Sequence, residues 1–109
     1  MTVSALAEKL NMKVLTSKDY EDREITGCYI GDLLSWVMGR AESGDAWITI
    51  MNNINIVAVA SLSDAACIIL CEGVGADEAI ISKANSEGII ILQTELTAFE
   101  AACGLCGEV

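Results

Sequence analysis

The sequence predicts an α/β domain built on a mostly parallel sheet of about five strands. Three observations carry this reading. Short β-branched runs alternate with stretches of helical periodicity along the whole chain. Residues 66–71 are apolar at almost every position, as a strand covered on both faces requires. Between that run and the strand before it lies an apolar stretch at 54–62, which serves as the crossover helix that two parallel strands need.

Taken in order, Val3, Leu6 and Leu10 share one face of a first helix that closes near Asn11. Residues 12–16 read as a short strand, 17–22 as a polar loop, and 23–26 as a second strand at the edge of the sheet. In the helix that follows, Ile30, Leu33, Leu34, Val37, Met38 and Ala41 recur at helical spacing and make one continuous buried stripe. Ser43, Gly44 and Asp45 end it. Residues 46–50 are a strand by their β-branched and aromatic content, and 51–55 a polar turn before the crossover helix. After the buried strand comes an exit turn at Gly73-Val74-Gly75. A helix then starts at Asp77, packs through Ile80, Ile81 and Ala84, and stops at Gly88. Residues 89–92 form the last strand, and Thr97 with Glu100 makes a capping box that opens a final helix. No linker, repeat or low-complexity segment interrupts this order, so residues 1–109 are expected to form one domain.

Composition narrows the function. Hydrophobic residues make up 53% of the chain and aromatics only 5%, so the core is aliphatic. No apolar run approaches the roughly 20 residues that span a bilayer. The first residues lack the basic-then-apolar pattern of a secretion signal, which gives the expectation of a cytoplasmic protein without a membrane partner. Sixteen acidic and six basic side chains leave a net charge of −10, which repels nucleic acid. A small anion held by backbone N–H groups is compatible with that charge. There is no histidine, hence no Ser-His or Cys-His pair and no imidazole general base or metal ligand. There is no G-x-x-x-x-G-K-[ST] loop either, since no glycine precedes a lysine. These absences argue against a hydrolase or a nucleotide-driven kinase; no catalytic residue, metal or cofactor is expected.

The stretch from Asp22 to Leu34 (DREITGCYIGDLL) resembles the signature of the DRTGG domain family. Asp22 and Arg23 are kept, Glu24 and Ile25 intervene, Thr26 and Gly27 follow, and Cys28 stands in the second glycine's place. Asn11-Met12-Lys13-Val14-Leu15 with Asp22-Arg23-Glu24-Ile25 is also similar to the N-terminal domain of HPr kinase/phosphorylase. The run from Trp47 through Asn55-Ile56-Val57-Ala58-Val59-Ala60 to Phe99 is similar to free-standing DRTGG proteins. Related modules are inserted in CBS-containing pyrophosphatases and in some phosphotransacetylases. The resemblance implies a three-layer α/β/α domain, often at a dimer interface, that senses or relays a ligand signal. HPr kinase chemistry does not carry over, because it belongs to a phosphate-loop domain missing here.

Candidate site residues follow from the rule that ligands of open α/β sheets gather beyond the carboxyl ends of the strands. Thr26, Gly27, Asn52, Asn53, Asn55 and Gly73 are the candidates, with the asparagines serving either as ligand contacts or as caps and turn formers. Gly73-Val74-Gly75 resembles a fragment of a dinucleotide fingerprint, but Glu78 replaces its third glycine, so it reads as a turn. Tyr29, Trp36 and Trp47 are candidates for a self-association surface, and equally for packing within the domain. Arg23 with Asp22 and Glu24 reads as a surface salt-bridge cluster. Cys67 and Cys71 point the same way on a buried strand. Phe99, Ala102, Cys103 and Cys106 form a stripe at i, i+3, i+4 and i+7 that is expected to face the core. Packing is therefore favoured over a four-thiolate metal site or redox chemistry.

The functional expectation is a non-enzymatic regulatory module, homodimeric and able to bind a nucleotide or other small anion. The alternatives are a protein–protein adaptor without a small ligand, and a thiol-based metal or redox protein.

Overall fold

In a computed structural model describing residues 1–109, five strands form one sheet in the order β1-β5-β4-β3-β2. The elements are α1 (Val3–Lys9), β1 (Lys13–Val14), β2 (Gly27–Ile30), α2 (Leu34–Arg40), β3 (Asp45–Thr49), α3 (Asn55–Ser63), β4 (Cys67–Leu70), α4 (Glu78–Glu87), β5 (Ile91–Gln93) and α5 (Ala98–Cys103). The strands β2 to β5 are parallel neighbours in sequence order, and β1 pairs antiparallel with β5 through Lys13–Gln93 and Val14–Leu92. The expected α/β class, mostly parallel sheet and strand number are all present. No helix is long and apolar enough to cross a membrane.

Alternation along the strands divides the core into two layers. Ala46, Ile48, Cys67, Ile69, Cys71 and Leu92 face α1 and α5, meeting Val3, Leu6, Ala101 and Leu105. Trp47, Ile68, Leu70 and Ile91 face α2, α3 and α4, meeting Val37, Ile56, Val57, Ala60, Ile80 and Ala84. All three crossovers from β2 to β5 therefore lie on one face, as a single handedness demands when strands are added in one direction. The other face holds two helices only.

Helix ends follow their local sequence. Thr2 caps α1 by accepting from the Ala5 amide, and Asp77 caps α4 by accepting from the Ile80 amide. Thr97 and Glu100 make the expected capping box on α5, and Gly88 closes α4 at φ +71°.

Several expectations fail for identifiable reasons. The edge strand is Gly27–Ile30 rather than 23–26, and the earlier segment makes only an isolated bridge from Glu24 to Thr2. The strand absorbs Ile30, which shortens the next helix, and the continuous buried stripe is not realised. Within α2 only Val37 is buried, while Trp36 is 52% exposed and Leu33 and Met38 are also open. This helix lies over the last strand of the sheet, where nothing flanks it on the outer side. Trp47 is fully buried between β3 and the three-helix layer, so it cannot serve the self-association surface. Its indole N–H donates to the Gly31 carbonyl at 2.9 Å. Phe99 is 75% exposed, and Cys103 and Cys106 are exposed as well. The core takes the other side of α5, through Ala101 and Leu105.

The two tryptophans give a direct check of this packing. Trp47→Ala is expected to cost about 3–5 kcal/mol in a urea titration, because it empties the centre of a layer. Trp36→Ala is expected to cost about 1 kcal/mol or less, mostly through loss of the Arg40 guanidinium that sits 3.6 Å above its ring.

Candidate functional site

The sheet has two edges where loops gather, and the structure separates the candidates between them. Asn52, Asn53, Asn55 and Gly73 lie at the carboxyl edge of the parallel strands; Thr26 and Gly27 precede β2 or open it, at the amino edge. The expected six-residue grouping is therefore not one site.

At the carboxyl edge the polar groups are bound to one another. Asp32 accepts from the Thr49 hydroxyl at 2.8 Å and the Ile50 amide at 2.9 Å, tying the ends of β2 and β3 together. Asn52 donates to the Gly75 carbonyl at 2.8 Å, and Asn53 accepts from the Asn55 amide at 2.9 Å. Loops after β4 and β5 leave toward opposite faces, the arrangement that opens a crevice in doubly wound sheets. Here it is stitched shut. The Glu72 amide donates to Leu96 at 2.8 Å, and the Gly73 amide to Thr94 at 2.9 Å. Gln93 donates to the Gly73 and Val74 carbonyls. Gly73 sits at φ +75°, and a Cβ there would also run into the Glu95 carboxylate. The asparagines thus act as turn formers, and Asp32, Glu72 and Glu95 leave the edge acidic.

The amino edge is organised by charge. Arg23 donates from Nη1 to Asp64 Oδ1 at 2.9 Å, from Nη2 to Oδ2 at 3.3 Å, and from Nη1 to the Ala65 carbonyl at 3.0 Å. Asp64 ends α3 in the left-handed region at φ +53°. Its carboxylate also accepts from the Ser43 hydroxyl, and its carbonyl from the Gly44 amide at 2.9 Å. The Thr26 amide in turn donates to the Gly44 carbonyl at 3.0 Å. Asp22 faces the other way and accepts from the amide and hydroxyl of Ser4 in the first turn of α1. Glu24 pairs with the amino group of Met1. The expected local cluster of Asp22, Arg23 and Glu24 is therefore three separate contacts to distant segments.

A cleft of about 420 Å³ opens beside this clasp, lined by Glu21, Arg23, Ser61, Asp64 and Glu87 above Ala60, Ala65 and Ile89. A smaller cavity of about 180 Å³ continues it past Glu21 and Gly88 to Thr16, Ser17, Asp19, Tyr20 and Asn85. Sequence reasoning missed this region apart from Arg23, because its residues come from the 16–21 loop and the last turns of α3 and α4. No spacing in the sequence links these three.

The thiols divide by burial. Cys67 is fully buried and its pKa is pushed up to about 12; Cys28 is exposed, but desolvation of its thiol at the groove wall, helped by Asp45 and Cys106, pushes it up to about 11. No group of three or more His, Cys, Asp or Glu side chains is placed to hold a metal.

Comparison with known proteins bears on the chain as a whole. No curated protein matches it. The model of the DRTGG domain matches residues 5–105. The chain belongs to the DRTGG domain family. Among solved structures, it is similar to the CBS and DRTGG domains of the regulatory region of Clostridium perfringens pyrophosphatase, complexed with the activator diadenosine tetraphosphate. The TM-score is 0.74 at 14% identity, over 93% of this chain and 44% of that one, which shows a shared fold. This chain thus spans less than half the length of that one.

Within this DRTGG domain the signature residues are structural. Asp22 ties down the start of α1, and Arg23 and Thr26 hold the turns before β4 and β3. Gly27 packs against the Asp45 carboxylate, which would have to turn aside for a Cβ there. The second glycine's position, Cys28, faces an open groove and tolerates a side chain.

Two outcomes follow. Hydrogen bonds from Ser43 and Arg23, then the Arg23 charge, hold the Asp64 carboxyl below its usual range. For Asp22, burial pushes upward, but bonds from Ser4 and Thr2 outweigh it and leave this carboxyl low too. Depressed folded-state values stabilise above the unfolded pKa and are lost as pH falls through the folded one. Urea titrations from about pH 5 down to about pH 2 should therefore show a shallower acid loss for Asp64→Asn and Asp22→Asn than for the wild type. In a thiol titration of the native protein, Cys103 and Cys106 should react first, with Cys67 and Cys71 reacting only on unfolding.

Proposed function

We propose that this DRTGG domain is a non-enzymatic, cytoplasmic, homodimeric regulatory module that senses a nucleotide or a similar small anion. The observation that carries this reading is its family membership, supported by a similar fold in a regulatory region solved with a nucleotide activator. The amino-edge cleft is the proposed seat, since it has room for a nucleoside-sized group and is lined by Arg23. A guanidinium suits a phosphate oxygen, and carboxylates such as Glu21 and Glu87 suit ribose hydroxyls. Binding there would bridge the 16–23 loop to the ends of α3 and α4, and so tighten the clasp that joins them.

Thermal unfolding against a panel of adenine and guanine nucleotides tests the proposal. A ligand at about 100 times its dissociation constant should add roughly 2.7 kcal/mol, a shift of several degrees in a domain of this size. Ser61→Ala and Tyr20→Ala should each reduce the shift, by about half for a tenfold loss of affinity, and Asn53→Ala with Asn55→Ala should leave it. The opposite pattern would move the seat to the carboxyl edge. A flat panel would favour an adaptor without a small ligand, a reading to which exposed Leu33, Trp36 and Leu62 lend support.

A further inference from the structure

A helix is about 10 Å across and strands are spaced about 4.8 Å apart, so each helix covers roughly two strands. Three helices suffice for five strands on the α2–α3–α4 face. On the opposite face α1 and α5 cover only part of the sheet, and β2 is left bare. Cys28 and Ile30 point to that side, in register with Ala46 and Ile48 of the covered strand β3. Between β2 and α5 lies a groove of about 350 Å³ whose lining is apolar throughout, including Cys28, Ile30, Ala102, Leu105 and Cys106. The exposed side of α5 continues the same surface. Phe99, Ala102, Cys103 and Cys106 keep helical spacing, with the Cys106 amide donating to the Ala102 carbonyl, so they form an apolar stripe on a helix whose other side is already in the core.

From this geometry we infer that the bare face of β2 and the outer stripe of α5 are the self-association surface, each copy's α5 covering the other's β2. The inference rests on the homodimer reading and says which surface makes the dimer. Self-complementarity comes from the covering helix and the uncovered strand belonging to one patch, as a two-fold interface requires. Area agrees. Ile30 is 50% exposed, Ile50 46% and Phe99 75%, each offering on the order of 100 Å² of side chain. With the alanine and cysteines between them, the patch comes to roughly 500 Å², about the apolar share of the ~800 Å² per partner of an ordinary interface. Charge agrees too. Two copies each carrying −10 repel least where carboxylate side chains are absent, and no residue lining the groove has one. The rival surface around Trp36 has no such groove, and its indole is already stacked under Arg40.

Light scattering and sedimentation of the full chain test this. The wild type should be dimeric at micromolar concentration. Its dimer should tighten from about 0.1 M to about 1 M salt, as the Debye length falls from ~10 Å to ~3 Å and the repulsion of like charges is screened. Ile30→Glu and Phe99→Glu, both at exposed positions and checked for an unchanged fold by circular dichroism, should weaken the dimer by a hundredfold or so, while Trp36→Glu leaves it intact. A dimer that survives both groove variants and is lost in Trp36→Glu overturns the assignment of the surface and leaves the homodimer standing. A wild type that is monomeric at every salt concentration overturns both.

Discussion

The guanidinium of Arg23 reaches the one point where three separate parts of the chain must meet. It grips the Asp64 carboxylate and the Ala65 carbonyl at the turn from α3 into β4. Asp64 also holds Ser43 and Gly44 at the turn into β3. Gly44 then receives Thr26 at the start of β2. Three parallel strands are thereby brought into line at their amino ends through one ion pair. Such a pair contributes little to stability when it stands alone in water. Its importance here lies in alignment, because parallel strands have no hairpin to set their register.

That arrangement changes what the family signature means. A motif of charged residues and glycine beside a sheet invites a ligand-binding reading. Each of these side chains instead has an internal partner, and Gly27 lies against the Asp45 carboxylate. The space large enough for a ligand lies beside the clasp, bordered by Arg23 but built mainly from segments outside the motif. The proposed seat and the signature share one residue and are otherwise separate.

Much of the fold was legible in the sequence. The buried strand β4, the crossover α3, Asp77 and Gly88 at the ends of α4, and the capping box of α5 each follow from local residue chemistry. What local pattern did not reveal was where in the sheet an element sits. The periodicity from Ile30 to Ala41 is real, yet a helix over the last strand has company on one side only. The stripe of Phe99, Cys103 and Cys106 is equally real, but α5 is apolar on both sides and the core accepts the side with Ala101 and Leu105. Trp47 was ambiguous because a tryptophan in a strand suits a core and an interface alike. The cleft was invisible for a different reason: its walls are helix ends and a loop brought together only by the tertiary fold.

The antiparallel addition of β1 beside β5 has a kinetic consequence. From β2 to β5 each strand pairs with the next one in the chain, so that part of the sheet can grow by short closures. Lys13 must find Gln93 across about three quarters of the chain, and Lys9 reaches still further, to the Gly104 carbonyl. Loop entropy makes those closures the most demanding and contact order makes them slow. The first fifteen or so residues thus behave as a latch fastened onto a sheet that is already assembled, and opening that latch would bare Val3, Leu6 and the α1 side of the core without parting a single parallel pair.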